Sequence, residues 1–432
     1  MILHESFDTN AAGHLTVAGH DAVRLAEEFG TPAIILDEEK IRSVCREYKS
    51  AFSRYFGGDS SPVYAGKALC FKGLYSLINE EGLMADCVSS GEVLTAMRAG
   101  FPMGKVFFHG NNKPDRDLRF GLSADVGYFV VDGEEELLAL DREAREANKT
   151  AKILLRITPG IDPHTHRKII TGNIDSKFGS PIRTGRAEEI VALAQSLDNV
   201  ELCGLHCHIG SQIFDVDPFC DAAEIMIGFV AEMKEKHGYS GSILNLGGGF
   251  GVRYTENDPE ISYTENIRLI AERMRKIASA AGVDFPTVMM EPGRSIVAAA
   301  GVTLYTAGSV KTIPGFRNYV SVDGGMTDNP RYTLYGSKYT VVNASRAAVN
   351  ADFEITLAGR CCESGDLLAE NVKIARPERG DIIAVLTTGA YNYSMASNYN
   401  RIPRPPVVMI GKDGPRVVVR RETEEDLIAL DM

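Results

Sequence analysis

Several things are missing from this 432-residue chain. No apolar run reaches the roughly 18 residues a membrane-spanning helix requires; the longest near-apolar stretch, Ile296 to Tyr305, falls well short. The opening residues, MILHESFDTN, lack a basic region followed by an apolar core, so no secretion signal is read. Positive charge is in the minority. Lys and Arg number 46 against 58 Asp and Glu, a net charge of −12, which disfavours nucleic acid and anionic membranes as partners. The eight cysteines are irregularly spaced, and a chain this long folds without disulfides, so they are expected to be reduced thiols of a cytoplasmic protein. No GxxxxGKS or GxxxxGKT loop is present, so a nucleoside triphosphate is not indicated.

What is present is an alternation. Eight short apolar runs (Val63–Ala68, Ala85–Ser89, Val106–Gly110, Tyr128–Asp132, Ile153–Thr158, Leu202–Gly210, Ile243–Gly248 and Val288–Pro292) are separated by amphipathic stretches such as Gly91–Ala99 and Glu134–Ala147. Strand and helix in alternation imply parallel strands with helical crossovers. Eight such units predict a (β/α)8 barrel, which takes about 250 residues; a doubly wound open sheet is the alternative. After about residue 295 the pattern turns to strands without intervening helices: Gly301–Ile313, Tyr319–Asp323, Phe353–Cys361, Ile382–Thr387, Val407–Ile410 and Val417–Arg421. An Asp-Gly turn inside Ile410–Arg416 predicts a hairpin. The expected organisation is thus α/β plus all-β: an N-terminal segment 1–35 packing with the β domain, a cofactor-binding barrel over 36–295, and a C-terminal β domain over 296–432. The long loop between Thr158 and Arg186 is expected to be functional or mobile.

Barrel chemistry sits at the C-terminal strand ends. Those ends carry Lys67, Asp86, His109, Arg156, His206 with His208 and Ser211, Gly247–Gly251, and Glu291 with Arg294. Lys67 admits two readings, a head that reaches solvent or a nucleophilic amine that forms an imine. The Gly247-Gly-Gly-Phe-Gly run is either a tight turn or a backbone cradle for an anion. His206 and His208, alternating on a strand, face opposite ways, which disfavours one metal held by both, and no metal site is expected. Glu291 with Arg294 is either a solvated ion pair or a carboxylate for a heterocyclic nitrogen beside an anion clamp.

Seven motifs in order carry a resemblance: Tyr-Ala-Gly-Lys67-Ala, His206-Cys-His208-Ile-Gly-Ser-Gln, Gly247-Gly-Gly-Phe-Gly, Glu291-Pro-Gly-Arg294, Asp328-Asn-Pro-Arg331 with Tyr335-Gly, Cys362-Glu363-Ser-Gly-Asp, and Gly389-Ala-Tyr391 through Met395-Ala-Ser-Asn-Tyr-Asn. Spanning about residues 30 to 410, they resemble the diaminopimelate decarboxylase family, pyridoxal-phosphate enzymes of the alanine-racemase-like class.

The resemblance implies a homodimer with shared active sites, pyridoxal 5′-phosphate as cofactor, and decarboxylation of meso-2,6-diaminopimelate to L-lysine and CO2. On that basis Lys67 would carry the cofactor and Asp86 would belong to its site. Glu291 would hold the pyridine nitrogen protonated, and His208 would stack on the ring. Ser211, Gly248, Gly249, Arg294 and Tyr391 would line the phosphate side, with Arg294 and Tyr391 also near the substrate. Arg331, Tyr335 and Glu363 would hold its far end, and Cys362 of a partner subunit would donate the proton. The chain departs from the family at Gly66, where Val or Ser is usual, and at Tyr332-Thr333, where Pro-Ala is more frequent. An ornithine, lysine or arginine decarboxylase, a racemase on the same fold, and a cofactor-free binding protein are the competing expectations.

Overall fold

A computed structural model describes residues 4–161 and 176–432. The chain divides into two units. One comprises Val44–Gly251 and Ile261–Gly293; the other comprises Met1–Ser43, Val252–Glu260 and Arg294–Met432.

The first unit is a closed barrel of eight parallel strands: β1 (Ser61–Ala65), β2 (Met84–Cys87), β3 (Val106–Phe108), β4 (Tyr128–Val131), β5 (Ala151–Thr158), β6 (Val200–His206), β7 (Ile243–Asn245) and β8 (Thr287–Met290). Each pairs with its neighbour in chain order, and β8 closes on β1 through Met289↔Ser61 and Met290↔Pro62. Parallel strands covered by helices are apolar on both faces, and β1 and β3 are buried throughout. Val63, Phe107, Val130, Leu154 and Met289 form a packed core from five of the strands. Each such side chain contributes about 1.5–3 kcal/mol by leaving water. β6 bulges between Leu202 and Gly204, where the backbone of β7 presses in. A Cβ on Gly204 would lie 2.3 Å from the Ile243 carbonyl oxygen, so only glycine fits.

The helices show why each segment folds locally. In Glu134–Glu146 three glutamates occupy the first turn, favourable to the helix dipole, and Leu137, Leu140 and Ala144 form the buried face. Tyr263–Ala281 starts with Ser262 accepting from Glu265 N at 3.2 Å and stops at Gly282 in the left-handed region.

The second unit is mainly β. The strand Ala33–Asp37, fully buried, lies between Gly301–Ile313, to which it is antiparallel, and Val407–Gly411, to which it is parallel. Phe7, Leu15, Val17 and Leu25 share one core with Val302, Leu304, Leu386 and Val408. Gly301–Ile313 also pairs with Ile382–Leu386 and Arg317–Val322. The hairpin over 407–419 turns through Lys412-Asp413, with Gly411 opposite Gly414.

Several details differ from the pattern-based expectations. The eight barrel runs are strands, but seven end short of their expected limits, because the polar and glycine residues that follow turn the chain. Leu367–Ile374 and Val341–Asn343 are strands that alternation did not reveal. The first division falls at 43/44, inside the helix Glu38–Tyr55, and residues 252–260 belong to the β unit. Of the Thr158–Arg186 loop, residues 162–175 lie outside the described residues. Its far end returns as Ser180–Pro181, parallel to Ile157–Thr158. No described helix is long and apolar enough to cross a membrane.

Candidate active site

In the barrel unit, β1 ends at Ala65 and the chain enters a 3-10 turn at Gly66–Ala68 that carries Lys67. Gly66 has no room for a side chain: a Cβ would lie 2.3 Å from the Tyr75 hydroxyl and 2.8 Å from the Asp86 carbonyl oxygen. Tyr75 therefore occupies the space where Val or Ser was expected. Lys67 Nζ pairs with Asp86 Oδ2 at 2.8 Å. Its side chain is 38% exposed while that of Asp86 is fully buried. Asp86 Oδ1 is buried with no hydrogen-bond partner. Nearby Glu92 accepts from Val88 N at 2.7 Å; burial, reinforced by the charge of Asp86, pushes its carboxyl up to about 7.

Glu291 lies just past β8 and is buried. Its Oε1 lies 2.8 Å from His109 Nε2, 2.8 Å from Asn245 Nδ2 and 3.3 Å from His206 Nε2. Burial by itself would raise this carboxyl; His109 and His206 outweigh that and hold it well below its usual range. Burial pushes His206 down to about 4. His109, His206 and Glu291 are the one described group of His, Cys, Asp or Glu whose ligand atoms come close enough to share an ion. His206 Nε2 hydrogen-bonds Glu291 Oε2 at 3.4 Å, whereas His109 Nε2 stands at ion-pair distance from the carboxylate without hydrogen-bond geometry, and Cys203 and Cys207 take no part in the group.

The imidazoles of β6 meet different partners, in keeping with their alternation, although the strand itself stops at His206. His208 Nδ1 accepts from Gly248 N at 3.2 Å. Burial first, then Lys67 and Arg156, hold His208 well below the usual imidazole range, so its ring is neutral. Gly248 exists as glycine for a steric reason: a Cβ would sit 2.0 Å from the Glu291 carbonyl oxygen. The Ser211–Ile213 loop is laced to this run, Ile213 N donating to Gly249 O at 2.9 Å and Gly251 N to Ile213 O at 2.8 Å. Asp86 lies within β2, and Lys67, His208, Ser211, Gly248, Gly249 and Glu291 occupy strand-end turns of the barrel.

The β unit holds the remaining candidates. Arg294 is buried, donates to the Tyr254 hydroxyl at 2.7 Å and lies 4.7 Å over the Tyr391 ring. Arg331 is also buried, 5.1 Å over Tyr335 and 5.5 Å over Tyr391. Its Nη2 reaches Ser337 Oγ at 3.4 Å, its Nε has no partner, and no carboxylate of the described residues pairs with it. Asp328, a neighbour that could have neutralised it, instead accepts from the Tyr305 hydroxyl and from Gly325 N.

Cys362 and Glu363 are both exposed, in a turn held by Asp366. Asp366 accepts from Cys361 N at 2.7 Å and from Met326 N at 2.6 Å, and Asn400 accepts from Cys362 N at 2.8 Å. His109, Arg156 and Glu92 stand at or after strand ends in the sequence with no role to mark them, and nothing there marks Asn245. The partners of His109 and Asn245 are distant in sequence, and no spacing signals them.

An amine on a strand-end turn, a buried anionic carboxylate, a neutral imidazole and a glycine run form the donor set of a pyridoxal-phosphate enzyme, and the partnerless Asp86 Oδ1 leaves an acceptor over. Residues 38–298 match the pyridoxal-binding domain of the pyridoxal-dependent decarboxylases. The chain is 45% identical to a diaminopimelate decarboxylase of Bacillus subtilis (strain 168), covering 100% of this chain and 98% of that protein. It is 38% identical to one from Synechocystis, covering 98% and 91%. A crystal structure of the M. jannaschii diaminopimelate decarboxylase in co-complex with L-lysine superposes with a TM-score of 0.93 at 34% identity, covering 100% of this chain and 99% of that one. The chain belongs to the diaminopimelate decarboxylase family. It is a carboxy-lyase dependent on pyridoxal 5′-phosphate.

Proposed function

We propose that the chain releases CO2 from meso-2,6-diaminopimelate to give L-lysine, with the residues above in specific roles. Lys67 binds the cofactor covalently through its amine, and Asp86 holds that amine in place. The cofactor's conjugated ring, when bound, takes up the electron pair left at Cα as CO2 departs. Glu291 accepts the hydrogen bond of the protonated ring nitrogen and keeps the proton there. His208, neutral, packs on the ring without placing a second positive charge beside it. The backbone N–H groups of Gly248 and Gly249, with Ser211, Arg294 and Tyr391, take the phosphate. Arg331, Tyr335 and Glu363 hold the distal amino-acid centre, the guanidinium taking its carboxylate and Glu363 its ammonium. Cys362 of a second copy of the chain delivers the proton from its thiol to Cα.

The single observation that carries the substrate assignment is Arg331, a buried guanidinium with no carboxylate of the described residues to neutralise it. A buried charge left in that state is costly unless a ligand completes it. Ornithine and lysine have no distal carboxylate to offer. A cytoplasmic setting suits the eight cysteines, all described and none in a disulfide. The test is incubation of purified protein with meso-diaminopimelate, following CO2 and L-lysine, with ornithine, lysine and arginine in parallel. No CO2 from meso-diaminopimelate, or faster release from one of the others, removes the assignment.

A further inference from the structure

Residues 395–400 close the last of the seven motifs, and the roles above give them no task. Their end has an unusual backbone. Asn400 adopts φ +54° and ψ +22°, and Arg401 follows at φ +56°. Neither is glycine. Asparagine enters the left-handed region more readily than most residues, but arginine has no such preference. Two such residues in succession are strained, and persist only where the surrounding structure holds them. Here it does. Ser397 N donates to Thr327 O at 2.8 Å, and Arg401 N to Asn398 O at 2.8 Å. Asn398 Nδ2 donates to Glu422 Oε2 at 2.6 Å and to Ile402 O at 3.1 Å.

The strained tip does one visible thing: Asn400 Oδ1 accepts from Cys362 N at 2.8 Å, across 38 residues of sequence. The amide before it, Cys361 N, donates to Asp366 Oδ2 at 2.7 Å. Two consecutive amides are thus held by two side chains, one from inside the turn and one from outside it. Asp366 is buried and also accepts from Met326 N at 2.6 Å, so it fixes the base of the turn. Cys362 is exposed within its own chain, so packing does not set its place there. The bond from Asn400 does.

We propose that Asn400 is a positioning residue for the proton donor: by holding Cys362 N it sets where the Cys362 thiol leaves the turn. This rests on the reading that Cys362 serves the site of a second copy of the chain. In that step the S–H bond breaks and a C–H bond forms at Cα, using the electron pair that CO2 leaves behind; the thiolate is then reprotonated from solvent. Without Asn400 the thiol is displaced and the transfer slows. The electron pair, shared with the cofactor, then takes its proton at another atom, and not every CO2 is matched by an L-lysine.

The experiment compares the loaded wild type with Cys362→Ala, Asn400→Gly, Asn400→Asp and the double variant Cys362→Ala/Asn400→Gly. CO2 and L-lysine from meso-diaminopimelate are both counted, and each protein is melted. Cys362→Ala comes first; full activity there overturns the underlying reading of the donor. With Cys362→Ala impaired, Asn400→Gly is expected to lower kcat about 10- to 100-fold, the effect of a misplaced reacting group. KM is expected to hold, since Arg331 and Tyr335 are untouched, and CO2 is expected to exceed L-lysine. The melting temperature is expected not to fall, because glycine occupies the left-handed region without strain. A merely structural role predicts the reverse, a lower melting temperature with one L-lysine per CO2. Asn400→Asp keeps an acceptor oxygen and is expected to stay within about threefold of wild type. In the Cys362→Ala background, followed in a single turnover, Asn400→Gly is expected to cause no further loss, as for two residues acting through one group. Wild-type kcat with one L-lysine per CO2 in Asn400→Gly overturns the proposal. So does an equal loss in Asn400→Asp, or an undiminished further loss in the double variant.

Discussion

Arg331 lies 5.5 Å over the ring of Tyr391, and among the described residues no carboxylate pairs with it. The first prediction follows. Arg331→Ala is expected to lower kcat/KM for meso-diaminopimelate by roughly 30- to 5,000-fold, the loss of one partner of a desolvated charge pair. The melting temperature should change little, because no acid of the chain is left stranded. A loop-ordering role through Asp328 has lost its structural basis, since Asp328 bonds to Tyr305 and Gly325 instead. A large fall in melting temperature with equal proportional losses on every substrate would sink the specificity role.

Gly66 and Tyr75 share one space. Gly66→Ala is expected to destabilise the protein by about 1–3 kcal/mol, as overpacking does, and to weaken cofactor loading because Lys67 is the next residue. Adding Tyr75→Phe removes the 2.3 Å clash with the hydroxyl but not the 2.8 Å approach to the Asp86 carbonyl, so recovery should be partial. Thermal melts and cofactor titration of the single and double variants check this. An unaffected Gly66→Ala protein would contradict it.

The exposed turn of Cys362 leads to a prediction about two chains. Lys67→Ala and Cys362→Ala proteins, each nearly inactive, are expected to regain activity when mixed and allowed to exchange subunits. A hybrid pairs one site carrying both defects with one carrying neither. Light scattering and mass spectrometry verify the exchange; verified exchange without activity would end the shared-site reading.

Asp328 sets a pH dependence. Burial pushes its carboxyl up to about 7 from an ordinary value of 3.8, with Asp366 and Asp323 adding to the effect. Between those values the folded state binds more protons than the unfolded chain, so this group's contribution to stability falls as pH rises from about 4 to about 7. The slope is on the order of 1 kcal/mol per pH unit. Asp328→Asn should remove that decline, which denaturant melts at pH 5, 6 and 7 on both proteins would reveal. Parallel pH profiles in the two would refute it.

The barrel was legible because its eight runs, Val63–Ala68 through Val288–Pro292, are apolar on both faces and spaced by amphipathic helices. The strand Leu367–Ile374 was not: Glu370 and Lys373 interrupt its apolar residues, and Asn371 adopts φ +55°, which breaks the period of two. The covalent and anion-binding candidates stood out because Lys67, Glu291 and the glycine run are unusual for strand ends. The partners of Glu291, Asn245 and His206, did not, because the closure of the barrel brings them together from strands distant in sequence. Gly66 looked like a bare departure until Tyr75 was found in the space beside it.

The strand Ala33–Asp37 has a consequence for how the chain is made. It emerges early, yet its two sheet neighbours, Gly301–Ile313 and Val407–Gly411, are synthesised much later. Until they appear, its apolar backbone has neither flank paired and is an open edge of the kind that recruits other chains. The barrel strands, by contrast, are each followed by their neighbour and can close as soon as Met290 is out. The order of events on the ribosome is therefore barrel first, with Ala33–Asp37 waiting for Gly301–Ile313 and then for Val407–Gly411. Truncation after Val419 leaves both sheet neighbours of the early strand in the chain, whereas removal of Val407–Gly411 leaves it with an edge that never closes.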